Sequence, residues 1–221
     1  MDDAEERARA GKAIRDVGHA FVGHDAAPEL LDDVASTLGA LTARLEAGEH
    51  RDRATVRSSE EWKRGVSDAA GRLESYDDRP FSGRSSPWGV DLDVHRHGDE
   101  IEARCVLRSA HEGAPGRSHG GIVAGLFDDV FGFVLDVVGE PAFTGELTIR
   151  FVGPTPLHRP IACRGRLAGR DGRKLYIEGE LVDVETPGEP VVARGRSTFI
   201  TVDPAVFAES TAKLPAPPDE G

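Results

Sequence analysis

The segment Gly116–Gly132, GRSHGGIVAGLFDDVFG, constrains the fold of this 221-residue chain more than any other part. It reads as a loop ending in His119-Gly120-Gly121 that leads into an almost wholly apolar helix, predicted from about Gly121 to Val138. A helix that is apolar nearly all round is buried on most sides. Two adjacent acids, Asp128 and Asp129, lie inside it, and a carboxylate is costly to bury unless it is paired or neutralised.

Alternating apolar and polar residues predict six strands around this helix. Two strands precede it, within residues 88–107, and four follow it, within residues 147–199. One helix covers only one face of such a sheet, so the strand edges and the remaining apolar surface indicate dimerisation. The predicted fold class is α+β, with an antiparallel sheet of about six strands wrapped around one long central helix.

The first 48 residues predict two helices joined as a hairpin. The second begins at Pro28 and carries one apolar stripe, made of Leu30, Leu31, Val34, Leu38, Leu41 and Leu45. This stripe must pack on the rest of the chain or on a partner. The predicted organisation is a helical extension and connector over residues 1–84, with a short helix around Glu60 to Leu73, then one domain over 85–203 and a disordered tail over 204–221.

Composition restricts the possible partners. The formal net charge is −12, which argues against a general nucleic-acid-binding protein. The acidic N-terminus lacks an apolar signal core and no apolar run approaches membrane-spanning length, so we expect a cytoplasmic protein. Cys105 and Cys163 are expected to be buried free thiols. His95 and His97 could share a strand face, but no third ligand lies nearby in sequence, so no metal site is predicted.

The helical wheel separates the two acids. Gly121, Gly125, Asp128 and Gly132 share one face, which predicts a glycine-lined groove beside Asp128 with room for a ligand or another backbone to come close. Asp129 lies next round the helix, where it could reach a rim or an arginine such as Arg150. The residues alone leave two interpretations of Asp128: a catalytic carboxylate, or a buried acid that pairs with an arginine across an interface.

The start of the helix offers a second chemical feature. The N–H groups of Gly120 and Gly121, at the positive end of the helix dipole, can hydrogen-bond a carbonyl oxygen that gains negative charge. His119 could contact the same oxygen or only fix the loop, and a tight turn into a buried helix explains the glycines equally well. Together with an acid that activates water or attacks directly, this arrangement fits hydrolysis of an activated acyl group.

These residues resemble the hotdog-fold acyl-CoA thioesterases of the PaaI/4HBT type. The resemblance rests on His119-Gly120-Gly121 with Asp128 nine positions after the histidine, and on TGELTIRFVGPTPL (144–157), which is similar to the family's Thr-Ala-x-Leu strand and proline-bearing turn. It covers roughly residues 85–202. It implies a hotdog fold, a homodimer that often forms a homotetramer, an acyl-CoA substrate, and no metal or cofactor beyond the CoA of the substrate.

The resemblance also implies roles for individual residues. Gly120 of one subunit polarises the thioester carbonyl, and Asp128 of the other acts as general base or nucleophile. Thr144 helps to hold the attacking water. Phe127 and Phe131 shape an acyl channel. The CoA phosphates lie against basic residues, for which the candidates are Arg159, Arg164, Arg166, Arg194 and Arg196, although solvated strand faces explain these equally well.

One position departs from the family pattern. Many members carry an asparagine six positions before the motif histidine, where this chain has Gly113, so His111 or Glu112 could substitute. Asp129 is the alternative working acid. Two other functions stay open: a non-catalytic hotdog module that binds acyl-CoA or a partner protein, and a hydratase or dehydratase acting on a 2-enoyl-CoA. The last is disfavoured because His119 precedes the acid-bearing helix.

Overall fold

The computed structural model describes residues 3–51, 71–75, 77–203 and 205–206, and within them one antiparallel sheet surrounds one helix. The sheet order is β1-β2-β3-β5-β6-β7-β4. Its strands are β1 (Arg72–Leu73), β2 (Asp93–His97), β3 (Glu100–Val106), β4 (Ala142–Phe151), β5 (Pro160–Asp171), β6 (Lys174–Asp183) and β7 (Val191–Thr201). The helices are α1 (Asp3–Gly23), α2 (Pro28–Glu46) and α3 (Gly120–Val138). The predicted order of two strands, a buried helix and four strands is confirmed by β2 to β7 and α3, and the short strand β1 was not predicted.

Helix α3 is held at both ends by local hydrogen bonds. At its start the side chain of His119 accepts a hydrogen bond from the Gly121 N–H. At its end Gly139 adopts a φ of 75°, and its N–H donates to the carbonyl of Leu135. Between these caps most apolar side chains are buried against the sheet, and seven are at most 1% exposed: Val123, Leu126, Phe127, Val130, Phe131, Phe133 and Val134.

A row of three glycines lets α3 approach the sheet closely. Gly165, Gly179 and Gly195 are directly opposite one another on β5, β6 and β7. A Cβ on Gly165 would lie 3.1 Å from the Phe131 ring, and one on Gly195 would lie 2.6 Å from the Phe127 ring. The absent side chains therefore leave the volume that these two aromatic rings fill.

Helix α1 docks on the domain mainly through polar contacts. Arg15 is buried and donates hydrogen bonds to the carbonyl of Ser86 at 2.5 Å and to the carboxylate of Asp91 at 2.7 Å. His19 accepts a hydrogen bond from the Ala110 N–H in the short 3-10 turn Ser109–His111. None of the residues of α2 is buried. The two predicted N-terminal helices are confirmed.

Some predictions for the connector and the tail fall outside the described residues. This applies to residues 60–70 of the predicted helix around Glu60–Leu73 and to nearly all of the predicted tail at 204–221. The end of that predicted helix is wrong, because Arg72 and Leu73 pair with His95 and Val94 and extend the sheet.

The two cysteines are buried and free, as predicted. Burial raises the pKa of the Cys105 thiol to about 12, and burial likewise raises the pKa of Cys163. Among the helices of the described residues, none has the length and apolar character needed to cross a membrane.

Candidate active site

Asp128 lies exposed on α3, beside the start of strand β4. Its Oδ1 accepts a hydrogen bond from the hydroxyl of Thr144 at 2.9 Å. The pairing of β4 with β7 shifts register between Thr144 and Glu146, next to this contact. In the described residues the second carboxylate oxygen of Asp128 has no hydrogen-bond partner, so it is available to a water molecule or to a substrate.

Asp129 is the acid that pairs with an arginine. It is 7% exposed, and its Oδ1 accepts a hydrogen bond from Nε of Arg79 at 2.7 Å, while Nη2 of Arg79 donates to its backbone carbonyl at 2.7 Å. The guanidinium also lies 4.8 Å from the ring centroid of Phe133. Asp129 therefore pairs with Arg79 rather than with Arg150, the arginine suggested from the sequence. The wheel correctly separated the acids, since Asp128 is exposed and Asp129 is buried.

Of the two occupants expected for the glycine-lined groove of α3, a ligand or another backbone, the chain itself fills the groove. A Cβ on Gly125 would overlap the ring of Phe81, and a Cβ on Gly132 would overlap the guanidinium of Arg79. The glycines thus admit the segment before β2 rather than a ligand. Asp128 keeps its access because its side chain is directed toward Thr144.

Sequence reasoning missed Arg79, and it predicted Phe81 only as an aromatic anchor of the connector on the domain surface, without its contact on α3. Both lie in a polar connector with no periodicity, and Arg79 is separated from Asp129 by 50 residues. The only local signal was the glycine spacing on α3, which indicates close approach without showing what approaches.

At the N-terminus of α3 the two predicted donors differ. The Gly121 N–H donates to Nδ1 of His119 at 3.0 Å, so this amide is already used by the helix cap. The Gly120 N–H has no partner among the described residues and points outward along the helix axis. Gly120 is therefore the better candidate for an oxyanion donor, and His119 serves here to fix the helix start.

The loop before this donor is tightly packed. A Cβ on Gly113 would lie 2.7 Å from the Cα of His119, which explains why this position has no side chain. The carbonyl of His111 accepts the His119 N–H at 2.8 Å, and Glu112 accepts the Gly116 N–H at 2.6 Å. The two residues suggested as substitutes for the missing asparagine are thus engaged in holding the loop.

The ring of His111 is held neutral by its surroundings. It is buried, it contacts the ring of His19 at a centroid distance of 4.5 Å, and its Nδ1 accepts the Arg108 N–H. Burial, reinforced by the neighbouring His19 and Arg108, lowers the pKa of His111 to about 4. This pair of histidines therefore links α1 to the loop that presents Gly120.

The residues predicted to bind substrate lie elsewhere in the fold. Phe127 and Phe131 are fully buried against the sheet glycines, with centroids 5.5 Å apart, and expose no ring surface in the single chain. Arg159 pairs with Asp183, and Arg164 pairs with Glu102 and Glu189. Of the other basic candidates, Arg166 pairs with Glu178, whereas Arg194 and Arg196 have no ion pair in the described chain.

The two histidines considered as metal ligands, His95 and His97, have contacts within the chain. His95 lies 3.1 Å from Asp93, and the rings of His95 and His97 stack at 6.3 Å. Within residues 3–51, 71–75 and 77–203, no group of three His, Cys, Asp or Glu side chains is placed to hold a metal ion.

The candidate oxyanion donor, the Gly120 N–H, and the candidate catalytic acid, Asp128, are far apart within one chain. Gly120 and Asp128 are eight residues apart, which is about 12 Å along a helix axis. Direct attack on a carbonyl whose oxygen is held by the donor requires a separation of no more than roughly 7 Å, and attack through one water molecule a separation of no more than about 10 Å. The Gly120 N–H also points away from Asp128. One chain therefore does not bring its own donor and acid to the same carbonyl group.

The antiparallel sheet wrapped around one central helix defines a hotdog fold. A solved structure described as a thioesterase superfamily protein matches with a TM-score of 0.71 and 25% identity, covering 88% of this chain and 90% of that one. Such coverage includes much of the N-terminal helical region as well as the sheet.

Sequence comparison finds that the chain is similar to proteins named acyl-coenzyme A thioesterases. The chain is 26% identical over 118 residues to acyl-coenzyme A thioesterase THEM4 from Bos taurus, covering 52% of this chain and 48% of the relative. It is 35% identical over 66 residues to acyl-coenzyme A thioesterase THEM5 from Homo sapiens, covering 30% and 27%. The chain thus spans about half or less of the length of these curated relatives. No family model matches the chain. Both comparisons confirm the resemblance to hotdog-fold acyl-CoA thioesterases.

Proposed function

We propose that this protein is an acyl-CoA thioesterase, which hydrolyses the thioester of an acyl-CoA to a free acid and CoA. The proposal rests on two groups that are available to a substrate at the site. One is the Gly120 N–H at the helix start, and the other is the Asp128 carboxylate, which Thr144 positions by a hydrogen bond. The sequence relatives named as acyl-CoA thioesterases support the same chemistry.

The reaction needs one donor and one acid. The Gly120 N–H hydrogen-bonds the carbonyl oxygen and stabilises the negative charge that it gains during attack. Asp128 either removes a proton from the water that attacks the carbonyl carbon or attacks that carbon itself, in which case water then hydrolyses the resulting anhydride. The carbon–sulfur bond breaks, and the CoA thiolate leaves and takes up a proton. Arg194 and Arg196, which have no carboxylate partner among the described residues, are candidates to contact the phosphates of CoA.

A complete site requires a second copy of the chain, because one chain keeps its donor and its acid apart. Strand β4 offers a surface for that copy. In the described sheet it pairs with β7 alone, so one side of a ten-residue strand is open. Phe143 and Phe151 on this strand are 52% and 55% exposed. We propose a homodimer joined through β4, with Gly120 of one subunit facing Asp128 of the other.

A thiol-release assay over short, medium, long and aromatic acyl-CoAs tests the activity. Asp128→Asn is expected to lower kcat by about 10²- to 10⁴-fold, the usual contribution of a general base. Asp99→Asn, at an exposed acid in the turn between β2 and β3, is the control and is expected to leave kcat unchanged. Absence of turnover with every thioester, combined with measurable CoA binding, would favour the non-catalytic module. A loss seen in Asp129→Asn but not in Asp128→Asn would assign the chemistry to the other acid.

A mixing experiment tests the shared site. Gly120→Pro removes the N–H but suits the first helical position, while Gly120→Ala keeps the N–H and controls for the added carbon near Phe151. When Gly120→Pro and Asp128→Asn chains are co-expressed, half of the dimers are mixed and half of their sites are intact. Activity should then recover to about a quarter of the wild-type value. If each chain forms its own site, the mixture stays at the level of the separate variants.

A further inference from the structure

Helix α1 packs against the loop that leads to the candidate oxyanion donor. The contact is with the short 3-10 turn Ser109–His111, where Nδ1 of His19 accepts a hydrogen bond from the Ala110 N–H at 3.1 Å. Next to this turn, the carboxylate of Asp16 accepts a second hydrogen bond from Nη1 of Arg108 at 2.7 Å. Helix α1 therefore holds the loop through directional hydrogen bonds, which restrict geometry more closely than apolar packing does.

A short series of contacts connects His19 to this donor. The ring of His19 meets the ring of His111 edge-on, with centroids 4.5 Å apart and an interplanar angle of 82°. The carbonyl of His111 accepts the His119 N–H at 2.8 Å, and the side chain of His119 caps the helix that begins at Gly120. A shift of the turn would therefore displace His119 and change the direction of the Gly120 N–H.

The hotdog domain itself holds this loop near its two ends. The Leu107 carbonyl accepts the His158 N–H at 2.7 Å, and the Ser118 N–H donates to the Thr155 carbonyl at 2.9 Å. Both partners belong to the segment between β4 and β5. The contacts of α1 fall between these two points, at the turn Ser109–His111. Helix α1 therefore adds a further support in the middle of the loop.

The contact uses the neutral form of both histidines. In each ring Nδ1 accepts a backbone N–H, from Ala110 in the case of His19 and from Arg108 in the case of His111, so neither of these atoms carries a proton. Both side chains are buried. Burial lowers the pKa of His19, and the positive charge of Arg108 acts in the same direction. Both rings can therefore serve as acceptors near neutral pH.

We propose that His19 is a positioning residue for thioester hydrolysis, which acts through the turn Ser109–His111 to direct the Gly120 N–H at the carbonyl oxygen. This role, which rests on the proposed function, makes α1 part of the support of the active site although it lies outside the sheet. The donor acts mainly on charge that develops during attack, so its displacement should lower kcat and leave KM nearly unchanged. Complete loss of one oxyanion donor lowers kcat by about 10²- to 10³-fold. A displaced donor should cost less, and we expect a loss of about 10-fold.

Steady-state kinetics of thiol release test the role of His19. His19→Leu fills a similar volume but removes the acceptor, and it should lower kcat by about 10-fold while KM changes by less than about twofold. His19→Asn places an amide oxygen near the position of Nδ1 and should restore most of kcat. His24→Leu, at an exposed histidine just after α1, is the matched control and should keep the wild-type kcat. A wild-type kcat for His19→Leu, or no recovery in His19→Asn, would overturn the proposal.

A double variant separates positioning from a general loss of structure. If His19 acts through the Gly120 N–H, then His19→Leu should lower kcat by less than about twofold in a chain that already carries Gly120→Pro and lacks this N–H. A loss in the double variant equal to the product of the two single losses would mean that His19 acts on another part of the site, and the proposal would then be wrong.

Hydrogen exchange measures the same contact without any substrate. In His19→Leu the amides of Ala110 and His119 should exchange about 10-fold faster, the equivalent of one lost hydrogen bond, while those of β6 and β7 keep the wild-type rate. Asp16→Ala should have a smaller effect in the same direction. Since the side chain of Asp16 is 41% exposed, this variant should fold even if His19→Leu does not. Unchanged exchange of the loop in the folded variants would refute the proposal. Absence of turnover in the wild type would refute the proposed function instead, and the exchange rates would then decide whether α1 holds the loop.

Discussion

Removing the Arg79 side chain should destabilise the protein strongly, because it leaves a buried carboxylate without its partner. Asp129 is 7% exposed, and one of its oxygens, Oδ2, already lacks a hydrogen-bond partner in the described residues. Arg79→Met removes the two hydrogen bonds of 2.7 Å to Asp129 and the cation–π contact with Phe133, while retaining an apolar chain of similar length.

The magnitude follows from the burial of the acid. Breaking a buried ion pair by deleting one partner costs about 3–5 kcal/mol. Since the side chain of Arg79 is 22% exposed, water can solvate part of the site, and we expect about 3 kcal/mol. For a protein of this size, that corresponds to a fall in Tm of roughly 6–12 °C.

Thermal and urea unfolding measure the effect. Arg166→Met is the matched control, because Arg166 pairs with Glu178 at 2.5 Å on an exposed sheet face, where ion pairs contribute less than about 1 kcal/mol. The double variant Arg79→Met/Asp129→Leu should recover much of the stability, since it removes the stranded charge as well. If Arg79→Met behaves like Arg166→Met, the buried pair does not hold the segment before β2 against α3 and the reasoning fails.

Three further outcomes are expected. Because burial lowers the folded-state pKa of His111 to about 4, the unfolded chain binds more protons below pH 6.5, and stability should fall by roughly 2–3 kcal/mol between pH 6.5 and 4. His111→Asn keeps an acceptor near the position of Nδ1 and should flatten this part of the urea-unfolding profile; an identical pH slope would contradict the assignment. Gly11→Ala should detach α1 and speed its hydrogen exchange, because a Cβ there overlaps the Ser85 carbonyl, whereas Gly18→Ala, with open space around it, should stabilise the protein by about 1 kcal/mol. Equal effects of the two alanines would show that the close contact at Gly11 is unimportant. Finally, Cys105 and Cys163 should resist a thiol reagent until the protein unfolds, and rapid labelling of the native protein would contradict their burial.

Periodicity determined much of the fold. The apolar run after His119 predicted a buried helix, and it occupies Gly120–Val138. Alternation predicted the strands that flank it, because side chains on a strand point to opposite faces and only one face is buried. The angular separation of the two acids on the helix also follows from sequence, since helical geometry fixes it locally.

Tertiary structure decided what fills the space beside these elements. The helical wheel predicted a glycine-lined groove with room for a ligand or another backbone, and Phe81 and Arg79 occupy it. The rings of Phe127 and Phe131, which were assigned to an acyl channel, lie against a row of glycines contributed by β5, β6 and β7. Tertiary structure also decided which of the two N–H groups at the helix start is available to a ligand. His119 accepts the Gly121 N–H, whereas the Gly120 N–H has no partner among the described residues. A sequence pattern indicates which side of a helix or strand is buried and how closely a neighbouring segment can approach it. The identity of the neighbour depends on chain crossings and strand register, which are defined only when the whole sheet has formed.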